Sequence, residues 1–142
     1  MGKQELDNLV KIGNLKVEAA SRKEFDGMVK SARRGLIDAQ NESIETDSQF
    51  DLAVEAAHKF ALASLRHQGY RSENRITVFQ ALVHTLGTGN ADLQIFLRAH
   101  NERNLAAYEG RVDINEKFLA DLISATKRLE TAVGKLTPPP AE

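Results

Sequence analysis

Between Leu97 and Gly110 the chain reads L-R-A-H-N-E-R-N-L-A-A-Y-E-G, helical in its apolar spacing yet crowded with polar side chains. A purely structural helix would carry Leu, Ala, Glu and Lys where His100, Asn101, Arg103, Asn104 and Tyr108 stand. Guanidinium forks suit phosphate and carboxylate recognition, and imidazole, amide and phenol add donors and acceptors around them. Binding of an anion is therefore the chemistry these residue types point to. At about 100° per residue, Asn104 and Tyr108 share a face with His100 and Arg111, whereas Arg103 lies about 140° from Tyr108. A helix packed between others can hold both faces in one cleft, more readily if a second copy of the chain supplies the opposite wall.

A second polar cluster runs from Arg66 to Arg75, where Arg66, Arg71 and Arg75 stand against Glu73. In an antiparallel helix order the two clusters fall at the same end of the molecule, which would add Arg71, Asn74 and Arg75 to the site. The alternative is that Arg71, Arg75 and Arg103 pair with Glu73, Glu102 and Glu109 as surface ion pairs of little worth. Among the histidines His58, His67, His84 and His100, only Glu55-x-x-His58 has the spacing of carboxylate-bridged metal bundles. The second copy of that motif and the extra glutamates are missing, so no metal or cofactor is expected. The turn Gly87-Thr88-Gly89 lacks the Lys-Ser/Thr that completes a phosphate loop.

Composition narrows the field further. A chain of 142 residues with 42% hydrophobic and 27% charged residues is the size and make-up of one globular domain. Cysteine is absent, which removes disulfides, thiolate metal sites and thiol nucleophiles together. A formal net charge of −1 denies the chain the global basic field of a non-specific nucleic-acid binder, so any RNA contact has to be local. Trp is absent and aromatics are 6%, which disfavours an array of base-stacking platforms. No apolar run approaches the roughly 20 residues of a membrane span, and M-G-K-Q-E-L lacks an apolar signal core. The expectation is a cytoplasmic protein with no membrane partner.

The elements that must position these residues read as helices. Leu6 to Leu15 is a short helix stopped by Gly13-Asn14. Ser21 and Glu24 form a capping box before a stripe through Phe25, Met28, Ala32, Leu36 and Ala39. Gly27 and Gly35 each cost that helix about 1 kcal/mol relative to Ala unless they admit a close neighbour. Thr46 and Gln49 repeat the capping spacing before the Ala-rich run from Phe50 to Gln68, a central helix ended by Gly69. Ser72 caps a helix with Val78, Phe79, Leu82, Val83 and Leu86 inward. From Ala91 the next carries Leu93, Phe96 and Leu97 inward and stops at Gly110. Asp113 with Glu116 caps the last, through Phe118, Leu119, Leu122, Ile123, Leu129 and Val133. No stretch alternates at period two for long enough to be a strand. The expected fold is all-α, an antiparallel four-helix bundle with an additional short N-terminal helix. Residues 1–136 form the single domain and 137–142 a flexible Pro-rich tail.

The Ala-rich central helix ending in G-Y-R, the polar turn, the V-F-Q-A-L helix and then R-N-L-A-A-Y-E together resemble the HEPN superfamily of small helical-bundle proteins. The likeness covers roughly residues 25–135. Many members of that family carry an Arg, often followed by Asn, and then a His in a dimer cleft that serves metal-independent RNA cleavage. Arg103 and Asn104 match the start of that motif, and Tyr108 stands at the histidine position, as in the R-x-x-A-x-Y form of some prokaryotic branches. The resemblance implies a homodimer whose cleft, lined by Arg103 and Tyr108 as the catalytic pair with Asn104, Arg71, Asn74, Arg75 and His100 as ligand contacts, takes RNA or a nucleotide phosphate. It also implies a toxin–antitoxin or defence role. A tyrosine ionises near pH 10, which makes it a weak base at neutral pH and leaves cleavage open. The competing reading is a non-catalytic helical module that binds a protein, in this family typically a nucleotidyltransferase.

Overall fold

The computed structural model describes residues 2–110 and 114–141. Its order is α1 (Lys3–Lys11), β1 (Lys16–Val17), α2 (Arg22–Ala39), α3 (Thr46–His67), β2 (Tyr70–Arg71), α4 (Arg75–Gln80), α5 (Leu82–Thr85), α6 (Asn90–Glu109) and α7 (Glu116–Gly134). The molecule is mostly helical, and among the described residues no helix is long and apolar enough to cross a membrane.

Helix α3 is the hub: it packs on α2, α4, α5, α6 and α7. Its alanines explain why. Ala53, Ala56, Ala57, Ala61 and Ala63 are all buried, and such small side chains let neighbouring backbones approach closely. Phe50, Phe60 and Leu65 fill the space between them. Gly35 lies on this contact, since a Cβ built there would stand 3.6 Å from the Ala56 Cβ, whereas Gly27 faces open space. The glycine cost in α2 is therefore matched by close packing at one position and not at the other.

Several local expectations are corrected. Val29, not Met28, completes the buried stripe of α2 with Phe25, Ala32, Leu36 and Ala39. Ser21 does cap α2, its Oγ accepting from the Glu24 amide at 3.2 Å. Thr46 caps nothing: the N-cap is Glu45 without a side-chain bond, and the buried Gln49 amide instead donates to the Ala39 carbonyl at 3.0 Å. Ser72 is occupied one turn early by the Asn74 amide, so Asn74 caps α4 by accepting from Thr77 at 3.1 Å. The expected Asp113 cap lies outside the described residues, and Asn115 caps α7 by accepting from Phe118 at 2.7 Å. The helix expected to run to Leu86 breaks at Ala81, which leaves Val83 exposed. Residues of β1 pair antiparallel with β2, Lys16 with Arg71 and Val17 with Tyr70, a ladder too short to show any alternation.

That ladder anchors the N-terminal segment. The Tyr70 hydroxyl donates to Asp7 and accepts from the Lys3 ammonium at 3.2 Å, which ties α1 to the end of α3. In the tail, the Thr137 carbonyl lies 2.7 Å from His67 Nε2 and Pro139 is buried.

Candidate functional site

Three elements converge on one carboxylate. Helix α3 carries Asp51, Glu55 and His58 at helical spacing, a polar stripe on a helix whose other faces are largely apolar and buried. Asn74 starts α4 so that Arg75 occupies its first turn, and α6 brings Arg103 one turn beyond His100. Glu55 Oε1 accepts from Arg75 Nη1 at 3.0 Å and also from Arg103 Nη1. The three side chains are 30%, 34% and 33% exposed for Glu55, Arg75 and Arg103, so the cluster lies at the surface rather than sealed inside. His100 Nε2 stands 3.2 Å from the Asn104 amide nitrogen, which donates to it when the imidazole is neutral.

Charge and burial set the protonation of these groups. Burial alone would raise the Glu55 carboxyl, but the hydrogen bonds from Arg103 and Arg75 outweigh it and hold the group below its ordinary value. Burial raises Asp51, with Arg103 opposing and Asp47 and Glu55 adding to the shift. Burial also pushes His58 down to about 4, with Arg75 and Arg103 adding to it and Glu55 opposing. His100 is lowered by the same causes in the same order: burial, Arg75, Arg103. Both imidazoles are thus neutral at pH 7, and a neutral imidazole beside two guanidiniums combines a proton acceptor with phosphate-binding groups.

A pH dependence of stability follows. His58 ionises near 6.5 when unfolded and near 4 when folded, so in that window the unfolded chain binds the extra proton and stability falls as pH falls. With His58 only partly buried, the loss is roughly 1–3 kcal/mol between pH 7 and pH 4. Urea unfolding across that range is the measurement, and a His58→Gln chain should show a shallower slope. An identical slope in the two proteins would remove His58 as its source.

Of the residues picked from the sequence, Arg75, His100, Arg103 and Asn104 come together. Tyr108 does not: it is 91% exposed on the last turn of α6. The 140° between Arg103 and Tyr108 is expressed in full, one side chain turned toward α3 and the other toward solvent. Asn74 spends its carbonyl oxygen on the α4 cap. Arg71 belongs to a separate cluster, with its Nε on Glu18 at 2.8 Å and its Nη2 on Glu24. Arg66 shares those acids and is 2% exposed. Arg71, Arg75 and Arg103 therefore find their acids across the molecule instead of in Glu73 or Glu102 nearby in the chain. Arg71 takes its acids from the segment before α2 and from α2 itself, and Arg75 and Arg103 take theirs from α3. Asp51, Glu55 and His58 are the site members that the sequence reading does not place at the anion site. Their signal is present in the sequence as polar residues spaced i, i+4 and i, i+3 in an otherwise apolar helix, of which Glu55-x-x-His58 resembles half of a metal pair. Among the described residues no three acids and histidines stand close enough to hold a metal ion.

Compared with family models, with curated proteins and with solved structures, the chain matches none.

Proposed function

We propose that the chain is a HEPN-like four-helix bundle, acting as a homodimer, that binds the phosphate of RNA or of a nucleotide at the Arg75 and Arg103 patch, in a toxin–antitoxin or defence setting. The observation that carries this reading is the convergence of two partly exposed guanidiniums from α4 and α6 on one point, with His100 and Asn104 beside them. Planar forks held in place by a common partner are preorganised for a tetrahedral anion. Tyr108 and Leu105 stand exposed on α6 beyond the patch, where a second copy of the chain or the base of a bound nucleotide would meet them. If RNA is cleaved, the neutral imidazole of His100, beside Asn104 and the two guanidiniums, is better placed as a proton acceptor than Tyr108.

The test is Arg103→Ala, read by fluorescence anisotropy with a short labelled single-stranded RNA over a range of salt. Loss of one phosphate contact should weaken binding about ten-fold and flatten the salt dependence by roughly 0.7 in slope. Wild type that binds no RNA or nucleotide, or a variant that binds as wild type does, removes the reading. A second reading, a non-catalytic module for a protein such as a nucleotidyltransferase, is favoured by the same exposed Tyr108 and Leu105. It gains if wild type ignores RNA while Arg103→Ala only lowers stability.

A further inference from the structure

We infer that Glu55 is a built-in competitor for the anion site: its carboxylate occupies the place between Arg75 and Arg103 that a ligand phosphate takes, so binding proceeds by displacing it. This rests on the phosphate-binding reading above and concerns how that site is restrained. A single oxygen, Oε1, accepts from Nη1 of both arginines, one on α4 and one on α6. A phosphate offers the same acceptor chemistry with more oxygens. Each guanidinium presents five N–H donors in a fork. Glu55 engages one nitrogen of each, whereas an anion bringing further oxygens engages each fork in two places.

Position makes the exchange feasible. With about a third of each side chain exposed, Glu55 can turn out toward water without becoming a buried unpaired charge, which would otherwise be prohibitive. Glu55 sits on α3, the most heavily packed helix, so its carboxylate moves by its own rotamers while its backbone stays fixed. Ligand affinity is then the difference between two sets of charge-assisted bonds. The arginine pair alone binds an anion more tightly than the intact chain does.

The experiment compares wild type, Glu55→Gln and Asp51→Asn, each as the full chain, in binding of a short fluorescein-labelled single-stranded RNA. Glu55→Gln keeps the side-chain size, removes the competing charge and should bind about ten-fold tighter. Asp51→Asn removes a neighbouring charge that attracts Arg103 through space but does not sit between the two forks, and should change affinity less. If wild type binds and Glu55→Gln is no tighter, or if Asp51→Asn gains as much, Glu55 is not a competitor and the phosphate reading survives without it. If wild type does not bind, whatever Glu55→Gln does, the phosphate reading falls and takes this inference with it. Should Glu55→Gln fail to fold, NMR of the wild-type chain decides. The Arg75 and Arg103 Nε–H signals and the Glu55 carboxyl carbon should shift together on adding the RNA. Arginine signals that move while Glu55 stays put would overturn the exchange.

Discussion

Arg66→Ala is expected to destabilise the protein by roughly 3 kcal/mol, the cost of losing a buried guanidinium and the several donors it supplies to partly exposed partners. The side chain is 2% exposed and holds several groups at once. Its Nε donates to Glu24 on α2, Nη1 donates to the Glu18 carbonyl at 2.8 Å and the Tyr70 carbonyl at 3.3 Å, and Nη2 donates to the Ala19 carbonyl at 2.7 Å. Nη2 also lies 3.2 Å from the Glu18 carboxylate. Alanine removes the one guanidinium that joins those carbonyls and carboxylates, and it unpins the segment between β1 and α2 from the end of α3. Arg66→Met keeps most of the apolar stem and should recover little, because the loss comes from the donors and not from the packing. Urea denaturation is the measurement, with a fall in melting temperature on the order of 10 °C alongside it. A change within 1 kcal/mol for Arg66→Ala would mean that the surrounding carbonyls find water and that the network is not the clamp described here.

The contrast between Arg66 and Arg103 shows what the sequence makes legible and what it hides. Helical periodicity located the long elements, and glycines at left-handed positions marked their ends: Gly13, Gly69 and Gly110 all have positive φ. The faces of α6 also followed from spacing alone, since His100 meets Asn104 one turn on and Arg103 points away from Tyr108. What spacing cannot give is the partner across the molecule. Arg66, Arg71 and Arg75 sit within ten residues of one another and read as one basic cluster, yet a two-residue ladder and the turn after it send the first two to Glu18 and Glu24 and the third to Glu55. The Thr46 and Ser72 caps are missed for a related reason, whereas the Ser21 cap is present. Ser72 and Asn74, or Thr46 and Glu45, differ by one or two residues in where the helix starts, a register that residue types alone do not resolve.

Phe79→Ala should cost about 3–5 kcal/mol, and in addition it should change the chemistry of the site. The ring is 1% exposed, stacked on Phe96 at 5.6 Å between centroids and set edge-on to His58 at 6.0 Å. Helix α4 has six residues, too few to persist without tertiary contacts, and Phe79 with Val78 is what buries it. Removing the ring therefore loosens the element that carries Arg75 and opens a path for water to His58. Burial is the leading cause of the low His58 value of about 4, so its titration should move up toward 6.5 in Phe79→Ala. The acid-side loss of stability should shrink with it, because folded and unfolded chains would then bind that proton at nearly the same pH. Phe79→Leu, which still fills much of the space, should fall between the two proteins in both respects. Following the His58 ring protons by NMR through the titration separates the effects. A variant that loses stability while His58 still titrates near 4 would show that α3 alone, not the aromatic contact from α4, keeps water from the imidazole.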